Sequence, residues 1–99
     1  MNSNSSYEIE FASPALTFLY SLSQKEADSL IIFLTSRLLL DPYRRSRRVP
    51  TGDGLQRITS YSNFRIAFEI QENRLIVKLI FRRKDGYGSW NELNPFHEN

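Results

Sequence analysis

The segment Phe64-Arg65-Ile66-Ala67-Phe68-Glu69-Ile70 alternates large apolar residues with polar or small ones. A period of two marks a strand with one buried face, here Phe64, Ile66, Phe68 and Ile70, and it sends Arg65 to the opposite side. Tyr7-Glu8-Ile9-Glu10-Phe11 repeats the pattern near the start, with Tyr7, Ile9 and Phe11 on one face and both Glu on the other. Strands of this kind need a cover for their apolar side. The residues between them read as helices, which predicts an α+β fold with a helical hairpin packed on one face of a mainly antiparallel sheet.

Ser13-Pro14 offers a cap followed by a proline in the first turn, predicting a short helix from about Pro14 to Tyr20 with Leu16, Leu19 and Tyr20 inward. Ser23-Gln24-Lys25-Glu26 fits a capping box, in which the Ser takes one free N–H and the Glu reaches back to another. Behind it Ala27, Leu30, Ile31, Leu34 and Leu38 form a helical stripe, widened by Ile32, Phe33 and Leu39 into a well-covered helix. Asp41-Pro42 ends that helix. Residues 42–54 hold two Pro, two Gly and four Arg, which predicts a loop with no regular element. Leu55–Ser60, Phe64–Ile70 and Leu75–Arg82 read as strands, the last nearly all apolar apart from Lys78 and so central. Gln71-Glu72-Asn73 is the turn between the last two. The predicted order is β-α-α-β-β-β, with residues 1–6 a disordered polar tail, 7–90 one domain and 91–99 a C-terminal tail.

A chain of 99 residues fits one domain. With no Cys and a single His, disulfides, thiolate metal sites, a Cys nucleophile and a His cluster are excluded. No metal or other cofactor is expected. The apolar stretches around Leu30–Leu34 and Leu38–Leu40 are too short to span a membrane, and the polar start lacks the regions of a secretory signal. A cytoplasmic protein without a membrane partner is the expectation. The net charge is only +2, but it is unevenly spread. Residues 1–36 carry −3 and residues 88–99 carry −2, whereas residues 37–87 carry twelve basic against five acidic side chains, a net +7. Ten of the thirteen basic residues are Arg, whose planar fork grips phosphate bidentately.

Four further pieces stand in a fixed order. Tyr7-Glu8-Ile9-Glu10-Phe11 precedes Ser13-Pro14-Ala15-Leu16; a long helix ends in Leu40-Asp41-Pro42; Gly54-Leu55-Gln56-Arg57-Ile58 precedes Asn63-Phe64-Arg65-Ile66-Ala67-Phe68-Glu69-Ile70; and Leu79-Ile80-Phe81-Arg82-Arg83-Lys84-Asp85-Gly86-Tyr87 closes the domain. Together they resemble the RelE/ParE superfamily of toxins from bacterial type II toxin–antitoxin modules, over about residues 7–87. The resemblance implies a RelE-like mRNA endoribonuclease that acts on the ribosome, inhibits translation and arrests growth. In such members the ribose 2′-OH attacks the adjacent phosphate without a metal and leaves a cyclic phosphate. It also implies a cognate antitoxin, bound in a hetero-oligomer, with ribosome and mRNA as further partners.

That chemistry needs cations where charge builds on phosphate, a group to take the 2′ proton and a group to protonate the leaving oxygen. By resemblance Arg65 matches the strand Arg on the scissile phosphate, Arg83 the late Arg that stabilises phosphate or leaving group, and Tyr87 the near-terminal Tyr for stacking or proton transfer. Arg57 matches an earlier strand Arg on RNA backbone. Arg44, Arg45, Arg47 and Arg48 would track RNA by charge, with Arg82 and Lys84 alongside the late Arg. Each has a structural alternative: Arg65 paired with Glu8, Glu10 or Glu69, Arg44–Arg48 a solvated run, Arg57 a structural residue, His97 part of a frayed tail. The second strand carries Gln56, Ile58 and Thr59 where ribosome-dependent relatives often carry Lys. That departure favours the alternative of a ParE-like DNA gyrase inhibitor without nuclease activity. A non-toxic relative acting as an interaction module is the third reading.

Overall fold

The alternating segments pair as their pattern requires. In the computed structural model, which describes residues 7–49 and 56–83, the strands are β1 (Glu8–Phe11), β2 (Arg47–Arg48), β3 (Gln56–Tyr61), β4 (Phe64–Gln71) and β5 (Arg74–Arg82). They form one sheet in the order β1-β5-β4-β3-β2. The β1–β5 pair is parallel, and the other three pairs are antiparallel. Two-residue turns, Ser62-Asn63 and Glu72-Asn73, join β3–β4 and β4–β5; their first residues take φ of 55° and 56°, the left-handed value that such hairpin turns favour.

Helices α1 (Ser13–Tyr20) and α2 (Gln24–Phe33) form the hairpin, joined through Ser21–Ser23. They cover the face that carries Phe64, Ile66, Phe68 and Ile70 of β4 with Leu75, Val77 and Ile80 of β5. Ala15, Leu19, Leu30, Phe33, Leu34 and Leu38 complete this core, and Phe18 meets Phe64 edge-on at 5.9 Å. A smaller cluster of Val49 and Ala67, flanked by Ile58 and Leu79, lies apart from that main core.

Several details differ from the sequence reading. Residues 42–54 are not without regular structure: Arg47 and Arg48 pair with Ile58 and Arg57, and Val49 N–H donates to the Gln56 carbonyl at 3.0 Å. The open edge of β3 offers backbone partners that local composition does not register. The order is therefore β-α-α-β-β-β-β. Ser13 is the first helical residue and not the cap; Ala12 holds the cap position with no side-chain bond. Leu16 and Tyr20 are 37% and 83% exposed, because Ala15 and Leu19 form the buried side of α1. Ile32 is 61% exposed, so α2 is covered on one face only.

The second helix also stops being α-helical at Phe33 and continues as a π-helical turn over Leu34–Leu38, closed by Leu39 N–H to the Leu34 carbonyl at 2.9 Å. Thr35 Oγ1 donates back to the Ile31 carbonyl at 2.9 Å, a bond that loosens and bends a helix. The wide turn keeps both Leu34 and Leu38 fully buried while Arg37 stays exposed.

The capping box links Ser23 and Glu26. Glu26 N–H donates to Ser23 Oγ at 3.1 Å, and the Glu26 carboxylate, which accepts from Ser23 Oγ at 3.4 Å, also meets Arg82 of β5, 3.5 Å away. The Arg82 hydrogen bond holds the Glu26 carboxyl below its ordinary value of 4.5; desolvation opposes the shift, and the Arg82 charge and Ser23 add to it. A lowered folded-state value means the stabilisation is complete above 4.5 and is lost as pH falls through the folded-state value. Glu26→Gln should therefore unfold at lower urea than wild type at pH 7, with the two midpoints converging in acid. A gap that persists unchanged in acid would show that this ion pair is not its source.

Candidate functional site

The phase of β4 decides where Arg65 lies. Its cross-strand neighbours are Ser60 on β3 and Phe81 on β5, and alternation puts it on the face away from α1 and α2. Glu10 meets Arg74 at 3.4 Å, and Glu69 accepts from Gln71 Nε2 at 2.8 Å. Arg65 lines a cleft of about 360 Å³ between β3 and the loop that follows the π-helical turn. Arg44, Arg45 and Arg47 line the same cleft, together with Ser46, Ile58, Thr59 and Ser60.

The loop is folded by its own bonds. Arg45 N–H donates to the Asp41 carbonyl at 3.2 Å, and Ser46 Oγ donates to the Pro42 carbonyl at 2.6 Å. Thr59 Oγ1 of β3 donates to the Arg45 carbonyl at 2.6 Å, which ties the loop to the sheet. A second hollow of about 490 Å³ shares Arg44, Arg45, Thr59 and Ser60 and adds Phe33 and Asp41. The first cleft thus gathers four guanidinium groups and, among the described residues, no carboxylate. Arginine stays protonated throughout the working pH range. Such a site can hold a phosphodiester by bidentate bonds and can stabilise charge that develops on it. Among the described residues no group of three His, Asp or Glu is placed to hold a metal ion, and no helix is long and apolar enough to cross a membrane.

No family model and no curated protein matches the sequence. Solved structures match in fold. The RelBE2 toxin–antitoxin complex of Mycobacterium tuberculosis aligns with a TM-score of 0.71 at 15% identity, over 78% of this chain and 98% of that one. The RelE–RelB complex of Pyrococcus horikoshii OT3 gives 0.65 at 14% identity, over 79% and 96%. The RelB–RelE antitoxin–toxin complex of Methanococcus jannaschii gives 0.58 at 17% identity, over 82% and 98%. The chain has a RelE-like fold.

Within this RelE-like fold the remaining candidates separate. Arg48 is exposed, and its cross-strand neighbour is Arg57, not Ile58, so alternation puts it on the opposite face from Arg47. Arg57 points its guanidinium at the loop, with Nε 2.6 Å from Ser46 Oγ. Arg82 lies on the helix-covered side, against Glu26 and 5.3 Å from the centre of the Phe64 ring. Arg83 follows β5 at the Arg65 end of the sheet, its backbone N–H donating to the Asn63 carbonyl, and it is not among the described residues of the cleft. Lys84 and Tyr87 lie outside the described residues, as do His97 and both predicted tails. Ser46, Thr59 and Ser60 were not legible as site residues, because isolated hydroxyl residues carry no signal until the loop and β3 meet.

Proposed function

We propose that this chain is the toxin of a toxin–antitoxin module and a RelE-like endoribonuclease that cleaves mRNA on the ribosome. The observation that carries the reading is the convergence of Arg44, Arg45, Arg47 and Arg65 on one cleft free of carboxylates among its described residues. Arg65 holds the scissile phosphate and stabilises the charge that builds on it as the 2′-oxygen attacks. Arg44, Arg45 and Arg47 hold the flanking backbone, and their charge draws RNA to the cleft. Arg83 supports the phosphate or leaving oxygen, and Tyr87 moves a proton. An antitoxin covers the cationic surface until it is removed, as the matched structures, which are toxin–antitoxin complexes, suggest for a chain of this fold.

Induced expression without an antitoxin, followed by primer extension on a ribosome-bound message, tests this. Growth arrest with new 5′ ends inside the message is the expected result; full arrest with intact messages overturns it. A second reading rests on the cleft lining, which holds no His, Lys, Tyr or carboxylate among the described residues and so no evident base. That favours a ParE-like inhibitor of DNA gyrase, and a supercoiling assay separates the two.

A further inference from the structure

Four arginines fall within five residues, Arg44 to Arg48, and they repel one another. A loop of that composition would be expected to spread, yet it is folded against β3. Arg57, itself a cation, stands at its centre. Its Nε donates to Ser46 Oγ at 2.6 Å, and its Nη2 donates to the Tyr43 carbonyl at 3.3 Å and to the Ser46 carbonyl at 3.2 Å. Two of the three nitrogens of its guanidinium thus bond the loop. Its carbon centre also lies 4.9 Å from the centre of the Tyr43 ring, within range of a cation–π contact.

We propose that Arg57 is a positioning residue for the cationic cleft: it fixes the backbone that carries Arg44, Arg45 and Arg47 and does not itself hold the RNA phosphate. The inference rests on the RNA-binding reading above and deepens it. Charge-assisted bonds to carbonyls and a hydroxyl are strong enough to offset the added like charge. Ser46 relays the effect, since its hydroxyl accepts from Arg57 and donates to the Pro42 carbonyl. A loop already ordered presents its guanidinium groups without loss of side-chain and backbone freedom on binding.

The test uses a fluorescein-labelled 2′-O-methyl oligoribonucleotide, which cannot be cleaved by 2′-OH attack, titrated by anisotropy over a series of KCl concentrations. Arg57→Gln should weaken binding about tenfold, the cost of re-ordering two or three long side chains. Its salt slope should stay at the wild-type value, because no phosphate contact is lost. Hydrogen exchange at the Arg45 and Ser46 amides of the free protein should quicken. Ser46→Ala should move affinity and exchange in the same direction, which keeps the test open if Arg57→Gln folds poorly, and Arg57→Lys should restore only part of the affinity. A slope shallower by about 0.7, the share of one phosphate contact on a single strand, with exchange unchanged, would make Arg57 a direct contact and overturn the proposal. Unchanged affinity also overturns it. If the wild-type chain binds no oligonucleotide at any salt, the RNA reading itself fails, while the exchange measurement still reports whether Arg57 holds the loop.

Discussion

Under the proposed nuclease function, Arg65→Ala should lower message cleavage by about 100- to 1,000-fold, the range seen when one preorganised donor to a developing oxyanion is removed. Arg65 stands on an inner strand, between Ser60 and Phe81, so its backbone is fixed by ladders on both sides. The neighbouring loop arginines sit on a shorter and more exposed support. A guanidinium fixed on a strand loses little freedom when it meets the phosphate, and its planar fork matches two phosphate oxygens. Arg65→Lys should therefore recover only part of the activity, since it keeps the charge and loses the fork. Near-UV circular dichroism and the urea midpoint, measured on the same variants, separate a folding defect from a lost contact with phosphate. Primer extension with purified variant on programmed ribosomes measures the effect. Cleavage within about threefold of wild type would remove Arg65 from the role assigned to it.

The largest effect on stability is expected at Phe68. Its side chain is fully buried at the middle of β4, between Arg57 of β3 and Val77 of β5, and belongs to the core beneath the helices. Phe68→Ala removes most of an aromatic ring and leaves a cavity that flanking strands cannot close, at a cost of about 3–5 kcal/mol. A domain of this size has about 5–15 kcal/mol in all. With a urea slope of about 1–3 kcal/mol/M the midpoint should fall by 1 M or more, and the variant should verge on unfolding at 37 °C. Ile32→Ala, on the exposed side of α2, is the control and should change stability by no more than about 0.5 kcal/mol. A loss below about 1 kcal/mol at Phe68 would place the core elsewhere.

The contrast between Arg65 and Arg82 shows how far sequence reading reaches. Both are strand arginines in the basic stretch. Arg65 sits in a clean alternation, so its face was legible. Arg82 ends a nearly continuous apolar run, and the phase of that run breaks: Phe68 pairs with Val77 while Ala67 pairs with Leu79, which leaves Lys78 as the extra residue of a bulge. The bulge shifts the alternation by one, so Arg82 shares the helix-covered face with Ile80, Val77 and Leu75 and meets Glu26. Nothing local in Leu75–Arg82 announces the shift. The π-helical turn was hidden for a similar reason, since a stripe of Leu at helical spacing does not distinguish a pitch widened by one residue.

The segregation of charge was fully visible, and so was the demand for a covered sheet, because both follow from residue type and short-range spacing. Strand alternation, the Ser23 cap and the Pro42 stop act within a few residues of one another, and the sequence by itself determined a helical hairpin on a mainly antiparallel sheet with a cationic second half. Only the tertiary structure decided which arginines meet. Arg44, Arg45 and Arg47 reach Arg65 through the β2–β3–β4 register, and a slip of one residue in either pairing would turn Arg47 or Arg65 to the other face. That register is set by burial of Ile58, Ala67 and Val49 together, a condition on residues far apart in the chain, so no single stretch of sequence could carry it.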